Sequence, residues 1–62
     1  MQENKTLNQF SNNLGEVKLM LFNNQYAVTS TPKFGDPSVE YFGNLRKAQI
    51  AYSYIQHYFT LS

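Results

Sequence analysis

The stretch Glu16 to Thr31, EVKLMLFNNQYAVTST, constrains this chain more than any other. Two runs rich in Val, Leu, Tyr, Phe and Thr, residue types that suit strands, flank Asn23-Asn24. Asn tolerates the positive φ that a type I′ hairpin turn needs at both central positions. With these two residues at the turn, Phe22 faces Gln25, Leu21 faces Tyr26, Leu19 faces Val28 and Val17 faces Ser30. Side chains alternate across a strand, so Val17, Leu19, Leu21, Tyr26 and Val28 share one face, the expected core face. Lys18, Met20, Phe22, Gln25, Ala27, Thr29 and Thr31 share the other. A slip of one residue would exchange the two sets. The second face is itself apolar at Met20, Phe22 and Ala27, and a small protein must either cover that surface or use it.

Around the hairpin the chain divides readily. Residues 1–13 form a polar N-terminal arm, either disordered or a short helix, since Leu7, Phe10 and Leu14 have helical spacing. Leu14-Gly15 is a break. Pro32 lacks a ladder donor and ends the second strand of the hairpin. The loop PKFGDP follows, then a short third strand from Ser38 to Phe42. Gly43 ends that strand, and Asn44 is a good N-cap for a helix from Leu45 to Phe59. On that helix Leu45, Ala48, Tyr52, Ile55 and Phe59 form one stripe, with Ala51 at its edge, and should face the sheet. Ile50, Tyr54 and Leu61, flanked by Lys47 and His57, form a second apolar strip nearly opposite. The expected fold is α+β: a three-stranded antiparallel β-meander packed on one C-terminal α-helix, in a single βββα domain over residues 14–62.

Size sharpens the question of the second face. A domain of 62 residues buries only about 60% of the surface its unfolded chain exposes, and small domains often rely on disulfides, a metal or a second subunit. With no Cys and one His, disulfides and thiolate or histidine-rich metal sites are ruled out, which leaves association. The net charge of +1 favours association as well. Five Tyr and five Phe exceed what one small core needs. The N-terminus has neither the basic start nor the apolar run of a signal peptide, and no run is long enough to span a bilayer. A cytoplasmic protein is expected, in which the sequon at Asn4 is incidental.

Enzyme chemistry finds little support. His57 is the one neutral-pH base, near a helix C-terminus; Ser53 could meet it one turn away, but no acid is placed to orient it. Asp36 and Glu40 sit on different elements, so paired-carboxylate catalysis is not expected. Gly35 and Gly43 stand alone rather than in a phosphate-binding loop, and no cofactor, metal or small-molecule substrate is implied. Phe34 in the PKFGDP loop either folds back onto the domain edge or is presented to a partner.

The run from Tyr26 to Ile55 resembles the arm-type, AP2-like DNA-binding domain found at the N-terminus of many tyrosine recombinases. The resemblance lies in the Tyr26-x-Val28 strand, the Gly35-Asp36 turn, the Tyr41-Phe42 strand end and Ala48 early in the helix. It implies a three-stranded sheet on a C-terminal helix, with DNA contacting the sheet face away from the helix through Lys18, Met20, Phe22, Gln25, Ala27, Thr29 and Thr31.

Two functional expectations follow. The first is a non-enzymatic regulator or inhibitor, of the kind phages and mobile elements encode, that binds another protein or a second copy of itself. Its binding residues would be Met20, Phe22, Ala27 and Phe42 on the sheet and Ile50, Tyr54 and Leu61 on the helix, since Met, Tyr and Phe are enriched at interfaces. The second is a nucleic-acid module using Lys18, Phe22, Arg46 and Lys47, with aromatics available for stacking and Phe42 beside them on the outer sheet face. Three things could cover that face: the N-terminal arm folding back through Leu7 and Phe10, a second copy, or a different protein.

Overall fold

The computed structural model describes residues 4–61. Four strands, β1 (Lys5–Asn12), β2 (Gly15–Phe22), β3 (Gln25–Pro32) and β4 (Ser38–Phe42), form an antiparallel meander in the order β1-β2-β3-β4 and are followed by one helix, α1 (Leu45–Thr60). The α+β class and the C-terminal helix match expectation. The sheet has four strands rather than three, and the N-terminal segment is neither a helix nor disordered within the described residues. Residues 1–3 of the expected arm lie outside them.

The central hairpin follows the Asn-Asn turn. Asn23 and Asn24 have φ of 53° and 64°, as a type I′ turn requires. Phe22 pairs with Gln25, Leu21 with Tyr26, Leu19 with Val28 and Val17 with Ser30. The core is correspondingly Val17, Leu19 and Val28 from the sheet against Ala48, Tyr52 and Phe59 from the helix. Phe10, Leu14, Tyr26, Phe42, Ala51 and Ile55 pack around it. Leu45, expected in the helix stripe, lies at the exposed margin. No helix among the described residues is long and apolar enough to cross a membrane.

β1 pairs with β2 through a two-residue turn at Asn13-Leu14, where the Asn12 side-chain oxygen accepts from the Leu14 amide at 2.9 Å. Its register shifts between Thr6 and Asn8, so Leu7 is an irregularity in the strand. Phe10 lies opposite Val17 and so enters the helix-covered side. The helical spacing of Leu7 and Phe10 is therefore spent on an irregular edge strand. The polar residues between them are tolerated because nearly all of β1 is exposed.

The helix is held at both ends. Asn44 adopts an extended conformation, and its side-chain oxygen accepts from the amides of Arg46 (2.7 Å) and Lys47 (3.3 Å), satisfying donors that the first turn leaves free. At the other end, Asn12 Nδ2 donates to the Phe59 carbonyl at 3.1 Å and ties α1 to the end of β1. Gly15 makes this closure possible. Its φ is +156°, and an added Cβ would lie 2.7 Å from the Pro32 Cα, 2.8 Å from the Thr31 carbonyl oxygen and 3.0 Å from the Phe59 ring.

Candidate functional site

The helix covers one side of the sheet, and among the described residues no element covers the other. On that bare face the register sets Met20, Ala27 and Tyr41 side by side across β2, β3 and β4. Phe22 continues the patch along β2, and Val39 continues it along β4. Ala27 is only 5% exposed although it lies on this face. The register explains this: the small Ala27 side chain sits between the longer Met20 and Tyr41 and forms the floor of a shallow furrow. Lys18, Gln25, Thr29 and Thr31 surround the patch, as expected. Gln9 of β1 donates to Glu16 at 2.8 Å, and this pair closes the β1–β2 flank with a polar rim.

One expected member of the face is elsewhere. Phe42 pairs with Tyr26, and Glu40 pairs with Val28, so both side chains lie on the helix side. Phe42 packs against the core cluster rather than joining Phe22. The residues of β4 that do reach the bare face are Val39 and Tyr41, both exposed. The cause is the β3–β4 loop, whose geometry sets the parity of β4; strand alternation alone leaves that parity open. The described part of the N-terminal arm does not lie across the bare face either: β1 extends the sheet sideways instead.

The second expected strip is also exposed. Ile50, Tyr54 and Leu61 are open to solvent, as are Lys47 and His57 beside them. Tyr58, which lies one turn beyond Tyr54, is exposed too. Two concavities lie beside α1, one against β4 and one against the end of β3. One, of about 460 Å³, is bordered by Glu40, Phe42, Lys47, Ile50 and Tyr54. The other, of about 520 Å³, lies under the β3–β4 loop among Phe34, Ser38, Tyr54 and Tyr58. Phe34 is 84% exposed, its ring 5.8 Å from the Lys33 ammonium, so it is presented rather than folded back.

The four residues considered for nucleic acid do not meet on one surface. Lys18 and Phe22 are on the bare face, whereas Arg46 and Lys47 begin α1, with Lys47 bordering the groove on the helix side. No cluster of three or more potential metal ligands occurs among the described residues. Among the described residues the one titratable group with a resolved perturbation is Tyr52, whose phenol is pushed above its ordinary pKa by burial in the core. It lies beneath the helix, away from both exposed surfaces, and serves packing. No known protein family matches the chain, and no curated protein or solved structure is significantly similar to it.

Proposed function

We propose that this protein is a non-enzymatic binding module that engages another protein through its bare sheet face, in the manner of a cytoplasmic regulator or inhibitor encoded by a phage or mobile element. The observation that carries this reading is the composition of that face. Met20, Phe22, Val39 and Tyr41 surround the Ala27 furrow, and Thr, Gln and one pair of opposite charges, Glu16 and Lys18, surround them. Contiguous apolar surface rimmed by polar residues marks interaction sites in soluble proteins. An aromatic and Met-rich centre with charges only at the margin is also the usual anatomy of a protein interface.

The resemblance to arm-type domains would seat DNA on this same face. Two cations and a helix N-terminus are available on the other side of the sheet, but on the face itself Lys18 is balanced by Glu16. Phosphate contacts come chiefly from Lys and Arg, and a protein partner suits this composition better.

The test is site-specific photo-crosslinking in the producing cell, with the probe at Thr29 on the bare face and, as control, at Gln49 on the exposed side of α1. A protein adduct is expected from Thr29, persisting at high salt and lost in Phe22→Lys while the fold is retained by circular dichroism. Adducts formed with nucleic acid and dispersed by salt, or protein adducts from Gln49 alone, would overturn the reading.

A further inference from the structure

The two edges of the sheet are built differently. β1 carries a register irregularity at Leu7 and a Lys at its start, both devices that discourage pairing with another chain. β4 has a regular register and no Lys, its one charge is Glu40 on the helix side, and four of its five residues are exposed. The hydrogen-bond phase of the sheet says which backbone groups β4 leaves free. Phe22 and Gln25 flank a two-residue turn and so bond to each other, which directs the odd-numbered residues of β3 toward β2. The bond from the Lys33 amide to the Leu14 carbonyl, 2.8 Å, continues that phase beyond the strand ends. Even-numbered residues of β3 therefore bond Ser38, Glu40 and Phe42. The N–H and C=O groups of Val39 and Tyr41 point outward, with no strand beyond them among the described residues.

We infer that β4 pairs antiparallel with β4 of a second copy of this chain, joining two sheets into one with both helices on the same side. Three two-fold arrangements give both Val39 and Tyr41 a partner within residues 37–43. A dyad at Glu40 would set two glutamates directly opposite each other. A dyad at Val39 would pair Tyr41 with Pro37, which has no N–H to give. A dyad at Tyr41 pairs Tyr41 with its own copy and Val39 with Gly43, whose surroundings are open, since nothing lies within 4 Å of a Cβ built there.

Charge complementarity selects the same arrangement. With the dyad at Tyr41, Glu40 lies opposite Phe42 of the other copy, on the helix side and near the start of that copy's α1. That first turn has no acidic residue and carries Arg46 and Lys47, so nothing within the turn itself balances its positive dipole end or the two cations. Glu40 and Lys47 border the same groove within one copy, which makes the patch self-complementary, as an isologous contact requires. The exposed flanks of the two helices, with Ile50 and Tyr54, face each other across the dyad. The bare faces remain free on the opposite side and become one continuous surface.

Sedimentation velocity over a concentration series tests this. Wild type is expected to show a monomer–dimer equilibrium. Among the backbone hydrogen-bonding groups Tyr41→Pro removes only an outward N–H, so it should abolish the dimer while leaving the far-ultraviolet circular dichroism intact, and Tyr41→Ala controls for the lost ring. Tyr41→Ala keeps that N–H and should still dimerise. Glu40→Lys should weaken the dimer about tenfold or more through like-charge contact with Arg46 and Lys47, and Glu40→Lys combined with Lys47→Glu should recover part of that loss. A wild type that stays monomeric, a dimer indifferent to Tyr41→Pro, or a dimer dissolved by Met20→Asp but not by Glu40→Lys would overturn the inference. If Tyr41→Pro fails to fold, Val39→Pro, which also removes an outward N–H, decides with the same expected result.

Discussion

On β2 the two faces of the sheet lie one residue apart and meet different fates. Val17 and Leu19 are fully buried beneath the helix, while Met20 and Phe22, as apolar as their neighbours, face outward. Hydrophobicity does not separate these sets. What separates them is the partner: Ala48, fully buried, lets α1 come close to the sheet, and Tyr52 and Phe59 fill the space on either side. The bare face has no such partner within the described chain, and its apolar residues are confined to a patch with Thr and Gln around it. The covered face drives folding, and the bare face, on the function proposed above, serves association. If this contrast is correct, substitutions on the two faces should separate stability from association.

The largest effect is expected where the covered face is closed. Gly15→Ala would place a methyl within 3 Å of Pro32 and Thr31 backbone atoms at a φ that L side chains rarely adopt. Strain and overpacking together should cost about 4 kcal/mol, a large part of the stability of a domain this size. Urea unfolding monitored by circular dichroism reads this directly. A near-neutral result would mean that the β1–β2 turn rearranges and does not fix the seat of Phe59.

Next in size is the paired comparison across β2. Leu19→Ala removes a fully buried side chain and should cost about 3 kcal/mol. Met20→Ala, one residue on and on the bare face, should cost less than about 1 kcal/mol. Thermal unfolding of the two variants should differ by about 8 °C or more, on the scale of about 4–8 °C per kcal/mol for small domains. Equal losses would mean that the bare face is buried in solution, by a second copy or a tightly held partner, and the concentration dependence of the midpoint would identify the former.

The parts legible in the sequence were those with local causes. Asn23-Asn24 demands its turn, the turn sets the β2–β3 register, and the register sorts core from surface without further information. Asn44 and the Ala48, Tyr52, Phe59 spacing do the same for α1. The parts that were not legible depend on non-local pairing. β1 has one core anchor, Phe10, and is attached mainly by its ladder to β2, so alternation of apolar residues never marks it as a strand. The irregularity at Leu7 further breaks the period of two. The face of Phe42 depends on how the β3–β4 loop returns the chain, and Val39 and Tyr41 exchange places with it and Glu40 for that reason alone. At the candidate site, the β2–β3 half of the bare face was readable and the β4 half was not.

The smallest effect concerns the core tyrosine and separates the two faces by pH. Tyr52 has its phenol raised by burial, so in the folded state it holds its proton to higher pH than in the unfolded chain, where it titrates near 10.0. Between those two values the unfolded state binds fewer protons than the folded one, and stability falls as pH rises. The contribution is therefore fully present below about pH 10 and is lost as pH climbs through the raised folded value. Tyr52→Phe keeps the ring and removes the titration, so the stability difference between wild type and variant should shift in the variant's favour above pH 10. Tyr41→Phe, the matching change on the bare face, leaves Tyr52 to titrate under the helix and should retain the wild-type alkaline loss. Urea midpoints for the three proteins at neutral and alkaline pH measure this, and a Tyr52→Phe protein that loses stability with pH as steeply as wild type would place the responsible group outside the covered face.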